Sequence, residues 1–119
     1  MRKAEVNPER AALTRLLRKE ARARKVKLWR RVAELLEKAK RRRIAVNLST
    51  INRHTERGDQ VVVPGKTLSA GLLTHPVTVA AFSFSAKARK KIEEAGGKCL
   101  KLEEMLSINP EGKKVKLLA

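Results

Sequence analysis

Four consecutive cations, Lys40-Arg41-Arg42-Arg43, stand about a third of the way along the chain. Side by side they repel one another unless an anion lies alongside. The planar guanidinium, with its five donors, matches the oxygens of a phosphate better than the compact lysine ammonium does. More of the same chemistry precedes them. Arg15, Arg18 and Arg22 recur at three- and four-residue spacing, Arg24, Lys25 and Lys27 follow within one short stretch, and Arg30 and Arg31 come next. Thirteen of the fourteen arginines lie in the first 57 residues, which hold 19 Lys plus Arg against 6 acids, a net +13 of the chain's +17. A positive field gathered on one half of a chain points to a polyanion, and nucleic acid is the first partner to consider.

Other chemistry is thinly supplied. Gly65-Lys66-Thr67 resembles the end of a phosphate-binding loop, but that motif needs a glycine five residues earlier and position 60 is Gln. Pro76 also interrupts the long helix that should follow such a loop. The stretch from Pro64 to Gly71 is read as a loop in which Lys66, Thr67 and Ser69 bring donors to phosphate or sugar oxygens, or else as an ordinary surface loop. His54, His75 and Cys99 fall short of the four ligands of a structural zinc site and show no paired spacing, so no metal or cofactor is expected. Cys99 reads as a small buried side chain in a strand. Glu93-Glu94 and Glu103-Glu104 are sequence neighbours on predicted helices; they diverge and cannot jointly flank a reacting bond. No enzyme is expected.

The elements that must hold the cations follow from periodicity. Asn7 as N-cap and Pro8 at the first helical position start a helix that runs to about Ala23. Leu13, Leu16 and Leu17 share one of its faces, opposite Arg15, Arg18, Lys19 and Arg22. Glu20 falls on the leucine face, so burial should weaken after Leu17, with a break near Arg24 to Lys27. A second helix, about Leu28 to Ala39, buries Trp29, Val32, Ala33 and Leu36 at i, i+3, i+4, i+7. Glu34 and Glu37, four residues ahead of Lys38 and Arg41, should neutralise part of its outer face. Ile44 to Asp59 reads as a third helix with Asn47 as N-cap and Gly58 at its end, presenting Arg53 outward.

Beyond residue 57 the vocabulary changes. Val61-Val62-Val63, closed by Pro64-Gly65, and Val77 to Ser83 read as strands. Ser85 caps a helix from Ala86 to Ala95 that stops at Gly96-Gly97. A strand from Lys98 to Leu102, a short helix from Glu103 to Ile108 and a last strand from Val115 to Leu118 follow. Strands alternating with short helices favour parallel pairing through right-handed crossovers. The expectation is an α/β fold: a basic helical segment, then a small mixed or parallel sheet with short crossover helices. It should form one domain over 1–119, with a basic helical half at 1–57 and an α/β half at 58–119.

The remaining composition narrows the partner. At 42% hydrophobic residues the chain can build a core. No apolar run approaches the ~20 residues that span a bilayer. The charged start argues against a signal peptide, Glu5, Glu9 and Glu20 argue against a transit peptide, and a single cysteine suits a reducing, cytoplasmic compartment. There is no Tyr, and the one Trp and two Phe fall on a predicted core stripe and strand, so stacking on unpaired bases is not the expected mode. The first two helices offer Thr14 as their sole uncharged base-reading side chain, which ranks sequence-specific DNA readout low. What remains is recognition of the backbone and shape of a folded RNA. The alternative is a free-standing protein that compacts or regulates nucleic acid.

Five ordered blocks also resemble a known family. They are Leu28-Trp29-Arg30-Arg31-Val32-Ala33-Glu34-Leu35-Leu36-Glu37-Lys38, Val46-Asn47-Leu48-Ser49-Thr50-Ile51-Asn52-Arg53, Val61-Val62-Val63-Pro64-Gly65-Lys66-Thr67-Leu68, Val77-Thr78-Val79-Ala80-Ala81 and Asn109-Pro110-Glu111-Gly112. Together they make the whole chain similar to the archaeal and eukaryotic large-subunit ribosomal protein eighteen-e, related to universal ribosomal protein fifteen. The resemblance implies a non-enzymatic, cofactor-free protein seated on large-subunit ribosomal RNA beside other ribosomal proteins, and the short length resembles archaeal members. It would put RNA contacts on the basic residues of Arg22 to Arg31, on Lys40 to Arg43, on Arg53 and on Lys66 with its loop. Two departures stand out. Ala39 replaces a proline, which lets the second helix continue toward Arg43, and the Arg22-to-Lys27 linker is more basic than the glycine-containing one expected.

Overall fold

A computed structural model describes residues 8–38 and 44–119. Its centre is a strand with apolar residues on both faces. Val61, Val62 and Val63 are fully buried, Val62 in one cluster of core residues and its two neighbours in another. Because successive side chains of a strand point to opposite faces, the sheet around them must be covered on both sides.

The order of elements is α1 (Pro8–Arg24), α2 (Lys27–Lys38), β1 (Ala45–Asn47), α3 (Leu48–His54), β2 (Gln60–Leu68), β3 (Thr78–Phe84), α4 (Ala86–Glu94), β4 (Lys98–Lys101), α5 (Leu102–Ile108) and β5 (Val115–Leu117). Every pairing is parallel. β3 lies along one edge of β2, with β4 beyond it. The other edge of β2 is divided: Gln60 to Val62 face β5, and Lys66 to Leu68 face β1. Side chains of α1, α2 and α5 form the core on one face of the sheet, and those of α3 and α4 form the core on the other.

Two expectations fail at this divided edge. Pro64-Gly65 does not close a strand, because β2 runs through it to Leu68. The register against β3 slips between Val63 and Lys66, and a bulge is a place where proline's missing N–H is tolerated. Gly65 is needed there because Ile44 passes so close that a Cβ would lie 2.3 Å from its carbonyl oxygen. The same oxygen accepts a bond from the Lys66 N–H at 3.0 Å. Residues Ala45 to Asn47 are correspondingly a strand and not the start of a helix, since the vacant edge of β2 outweighs local preference. The helix that follows is short, Leu48 to His54, and the Thr55 hydroxyl closes it by donating to the Ile51 carbonyl at 2.7 Å. Gly58, at φ +85°, lies in the turn beyond.

Elsewhere the spacing reads true. Trp29, Val32, Ala33 and Leu36 are wholly buried. The Ser85 hydroxyl accepts from the Ala88 N–H at 3.1 Å as the cap of α4. On α1 the buried stripe is Leu13, Leu17 and Ala21, so burial persists past Leu17, while Leu16 sits on its flank at 37% exposure. The proposed N-cap Asn7 is outside the described residues.

A long-range bond joins the basic helices to the end of the chain. The Trp29 indole donates to the Pro110 carbonyl at 2.7 Å. Asn109 braces that turn by bonding Gln60 at 2.8 Å and the Lys113 carbonyl at 3.0 Å, and at Gly112 a Cβ would meet Leu28 at 2.7 Å. Trp29→Phe keeps an aromatic side chain but strands the carbonyl of Pro110 and leaves part of the indole's buried volume empty. It is expected to cost roughly 1–3 kcal/mol, read as a lower urea midpoint at unchanged slope.

Candidate nucleic-acid interface

The geometry of α1 sorts its charges. At about 100° per residue, Arg18, Arg22, Arg15 and Lys19 lie roughly 100° to 200° round from Leu17, away from the sheet. Arg15, Arg22, Lys25, Lys27, Arg30 and Arg31 are all exposed.

Their charges are not equally available. Arg18 pairs with Glu37 across the two helices, and Arg24 with Glu20 at 2.9 Å. Arg30 and Arg31 share Glu34 at 3.5 and 3.4 Å. Glu34 and Glu37 are thus taken by partners earlier in the chain, whereas Lys38 and Arg41, the partners suggested by spacing, have side chains outside the described residues. Arg15, Arg22, Lys25 and Lys27 have no acidic partner among the described residues. All four pairs are at the surface, where an ion pair is worth about 0–1 kcal/mol, so phosphate can displace the glutamates at little cost.

The corner between α1 and α2 is built to project charge. The Val26 N–H bonds the Ala21 carbonyl at 3.1 Å, closing α1 over a residue in the left-handed conformation, and that residue is Lys25, at φ 58°. Glycine is the usual occupant of this position. A lysine there costs roughly 1–2 kcal/mol of backbone strain and puts a cation at the tip. Arg22 and Arg24 occupy the last turn of α1, where the helix dipole is negative and favours them.

The other residues singled out by sequence fall elsewhere. Arg53 is exposed on α3, across the sheet from α1 and α2, so it does not join their surface. Lys66 is exposed but stands on β2 beside Ala45, not in a loop. Thr67 is fully buried, and among the described residues its hydroxyl has no hydrogen-bond partner, which places it inside the fold and away from any phosphate. Lys40, Arg41, Arg42 and Arg43 lie outside the described residues. The segment after β2 is held from within: Lys91 Nζ donates to the carbonyls of Ser69 at 2.9 Å and Gly71 at 3.2 Å. Nothing local announces that clamp, because its partners are some twenty residues away.

The aromatic rings face inward or are covered. Trp29 is wholly buried, Arg10 lies 4.7 Å from the centre of the Phe82 ring, and Arg89 lies 5.0 Å from that of Phe84. Cys99 is half-buried, and that burial pushes its thiol up, away from the reactive thiolate. Asp59 is held below the usual carboxylate range by the Glu56 N–H and by Lys116, which sits 3.0 Å away and ties β5 to the start of β2. His75 bonds the Thr55 hydroxyl at 2.8 Å, and His54 bonds the Thr50 carbonyl at 2.9 Å. These groups are used in holding loops and helix ends.

The geometry defines a basic α/β protein that presents unneutralised cations on one helical flank. The family described as ribosomal protein 60S L18 and 50S L18e matches residues 2–119. The large ribosomal subunit protein eL18 of Archaeoglobus fulgidus is 46% identical over 118 residues, 99% of both chains. Those of Methanospirillum hungatei and Methanothermobacter thermautotrophicus are 44% and 46% identical over 112 residues, each covering 94% of this chain and 93% of the relative. The chain belongs to this family, and so to the structural proteins of the large subunit in the cytoplasmic ribosome; it is not an enzyme.

Two substitutions separate charge from architecture. Lys25→Gly relieves the left-handed strain and is expected to raise the unfolding free energy by up to about 1 kcal/mol while weakening binding to RNA. Thr67→Val removes a buried hydroxyl without changing shape. It is expected to leave RNA binding unaltered and stability equal or higher by about 1 kcal/mol, as read by thermal melting and filter binding.

Proposed function

We propose that this chain binds folded large-subunit ribosomal RNA through its backbone and shape, with the α1–α2 flank as the principal contact. The observation that carries this is a set of cations with no acidic partner among the described residues, Arg15, Lys19, Arg22, Lys25 and Lys27, along one flank and corner of two helices whose opposite faces are committed to the core. Arg18, Arg24, Arg30 and Arg31 are a second rank, released when phosphate replaces their glutamates. Arg53 and Lys66 belong to separate surfaces and would meet other parts of the same RNA, and the four consecutive cations Lys40 to Arg43 would add to its binding. Covered aromatic rings favour phosphate over base contacts, which suits a partner recognised by its fold.

Affinity made this way falls steeply with salt, by about 0.7 to 0.9 logarithmic units per phosphate contact. Replacing Arg15, Arg22, Lys25 and Lys27 with Ala is therefore expected to flatten the log–log salt dependence of binding to large-subunit RNA by up to about three units. The same variant should leave large subunits at lower salt in a sucrose gradient. An unchanged slope would remove this flank from the interface. Equal binding of duplex DNA and RNA, with no retention on subunits, would favour a free-standing nucleic-acid-compacting protein.

A further inference from the structure

On the flank of α1 opposite Arg15, Arg18 and Arg22, the surface changes character. Two adjoining depressions of about 380 and 390 Å³ share Leu16 and Glu103 and form one groove between α1, α5 and the end of β3. Its floor is apolar: Leu13, Leu16, Phe82 and Leu106 line it, and Leu16 is 37% exposed. Its walls carry Glu9, Glu20, Glu103 and Glu104 against Arg24 and Lys101, and Arg10 lies over the ring of Phe82 at its edge. Arg24 is engaged with Glu20, and Glu104 accepts the Lys101 backbone N–H at 2.7 Å. Glu9 and Glu103 are exposed and have no basic partner among the described residues.

In a chain of net charge +17 this groove is unusual in holding more acids than bases, four against three with Arg10 counted. RNA is repelled from such a surface, and an acidic protein is as well. An open, apolar-floored trough suits side chains that combine hydrocarbon stems with cationic heads, since lysine and arginine lay their methylenes on apolar surface and keep the charge at the rim. From Glu9 to Arg24 the groove follows about 22 Å of helix, the span of six or seven extended residues.

We propose that this groove receives an extended Lys/Arg-rich segment of a neighbouring large-subunit protein, so that α1 meets RNA on one flank and a basic protein tail on the other. The neighbouring protein is part of the reading given under Proposed function. The charge complementarity is not, and it can be tested on the free chain. A fluorescent nonapeptide alternating Lys or Arg with Leu is expected to bind the full chain, and Glu9→Gln with Glu103→Gln should weaken it roughly tenfold. Both carboxylates are exposed, so the fold should survive, and the salt slope for RNA should not move. Equal peptide binding by the double variant, or a changed RNA slope, would overturn the proposal.

A photo-cross-linking residue at position 16 then reads the occupant in purified large subunits. Cross-links to a Lys/Arg-rich stretch of another ribosomal protein support the groove's role. Cross-links to RNA or to an acidic segment, or none from a chain that has entered subunits, overturn it. A chain that fails to enter subunits counts against the ribosomal assignment instead, and the peptide measurement still decides the groove.

Discussion

A parallel strand buried on both faces has to be covered twice, and most of this structure follows from that requirement. Val61 to Val63 expose nothing, so helices must lie on each side of the sheet. The elements recruited to one side are α1, α2 and α5, and the first two carry ten Lys and Arg between them. Each therefore carries two commitments on one cylinder: an apolar stripe that the core demands and a charged arc left over for a partner. Leu13, Leu17 and Ala21 on α1, with Trp29, Val32, Ala33 and Leu36 on α2, hold the arginines at fixed angles that a disordered basic tail could not keep. The cationic flank is in this sense a by-product of covering β2.

The same constraint explains what could be read from sequence. Trp29, Val32, Ala33 and Leu36 report their burial through a 3.6-residue period, because a helix's core face depends on its own phase alone. Ser85 and Gly96-Gly97 bound α4 for equally local reasons. β1 was invisible, since three residues form a strand there solely because the far end of β2 has an edge to fill. Pro64-Gly65 looked like a terminator, and its actual use depends on Ile44, twenty residues earlier, passing against the glycine. Charge placement was legible along α1 and α2. It was not legible at Thr67, whose burial comes from the strand's extension, nor in the groove beside Leu16, whose acids arrive from α1 and α5.

Electrostatics and stability pull in different directions at several points. Lys25 occupies a backbone conformation that glycine would hold more easily, and Arg30 and Arg31 divide one carboxylate between them. Such choices weaken the free chain, and under the proposed mode of binding the phosphates of a bound RNA would relieve the repulsion and stabilise the fold by mass action.

The bond from Trp29 to Pro110 spans 81 residues, which orders events during synthesis. At about 5–20 residues per second the basic helices exist for roughly 4 to 16 s before the carbonyl that anchors them has been made. Strand β5, which completes the edge of β2 beside that turn, is later still. Until β2 and β3 have been made, some forty residues after α2, its apolar stripe has no sheet to lie on, and the like charge around it opposes contact between one nascent chain and the next.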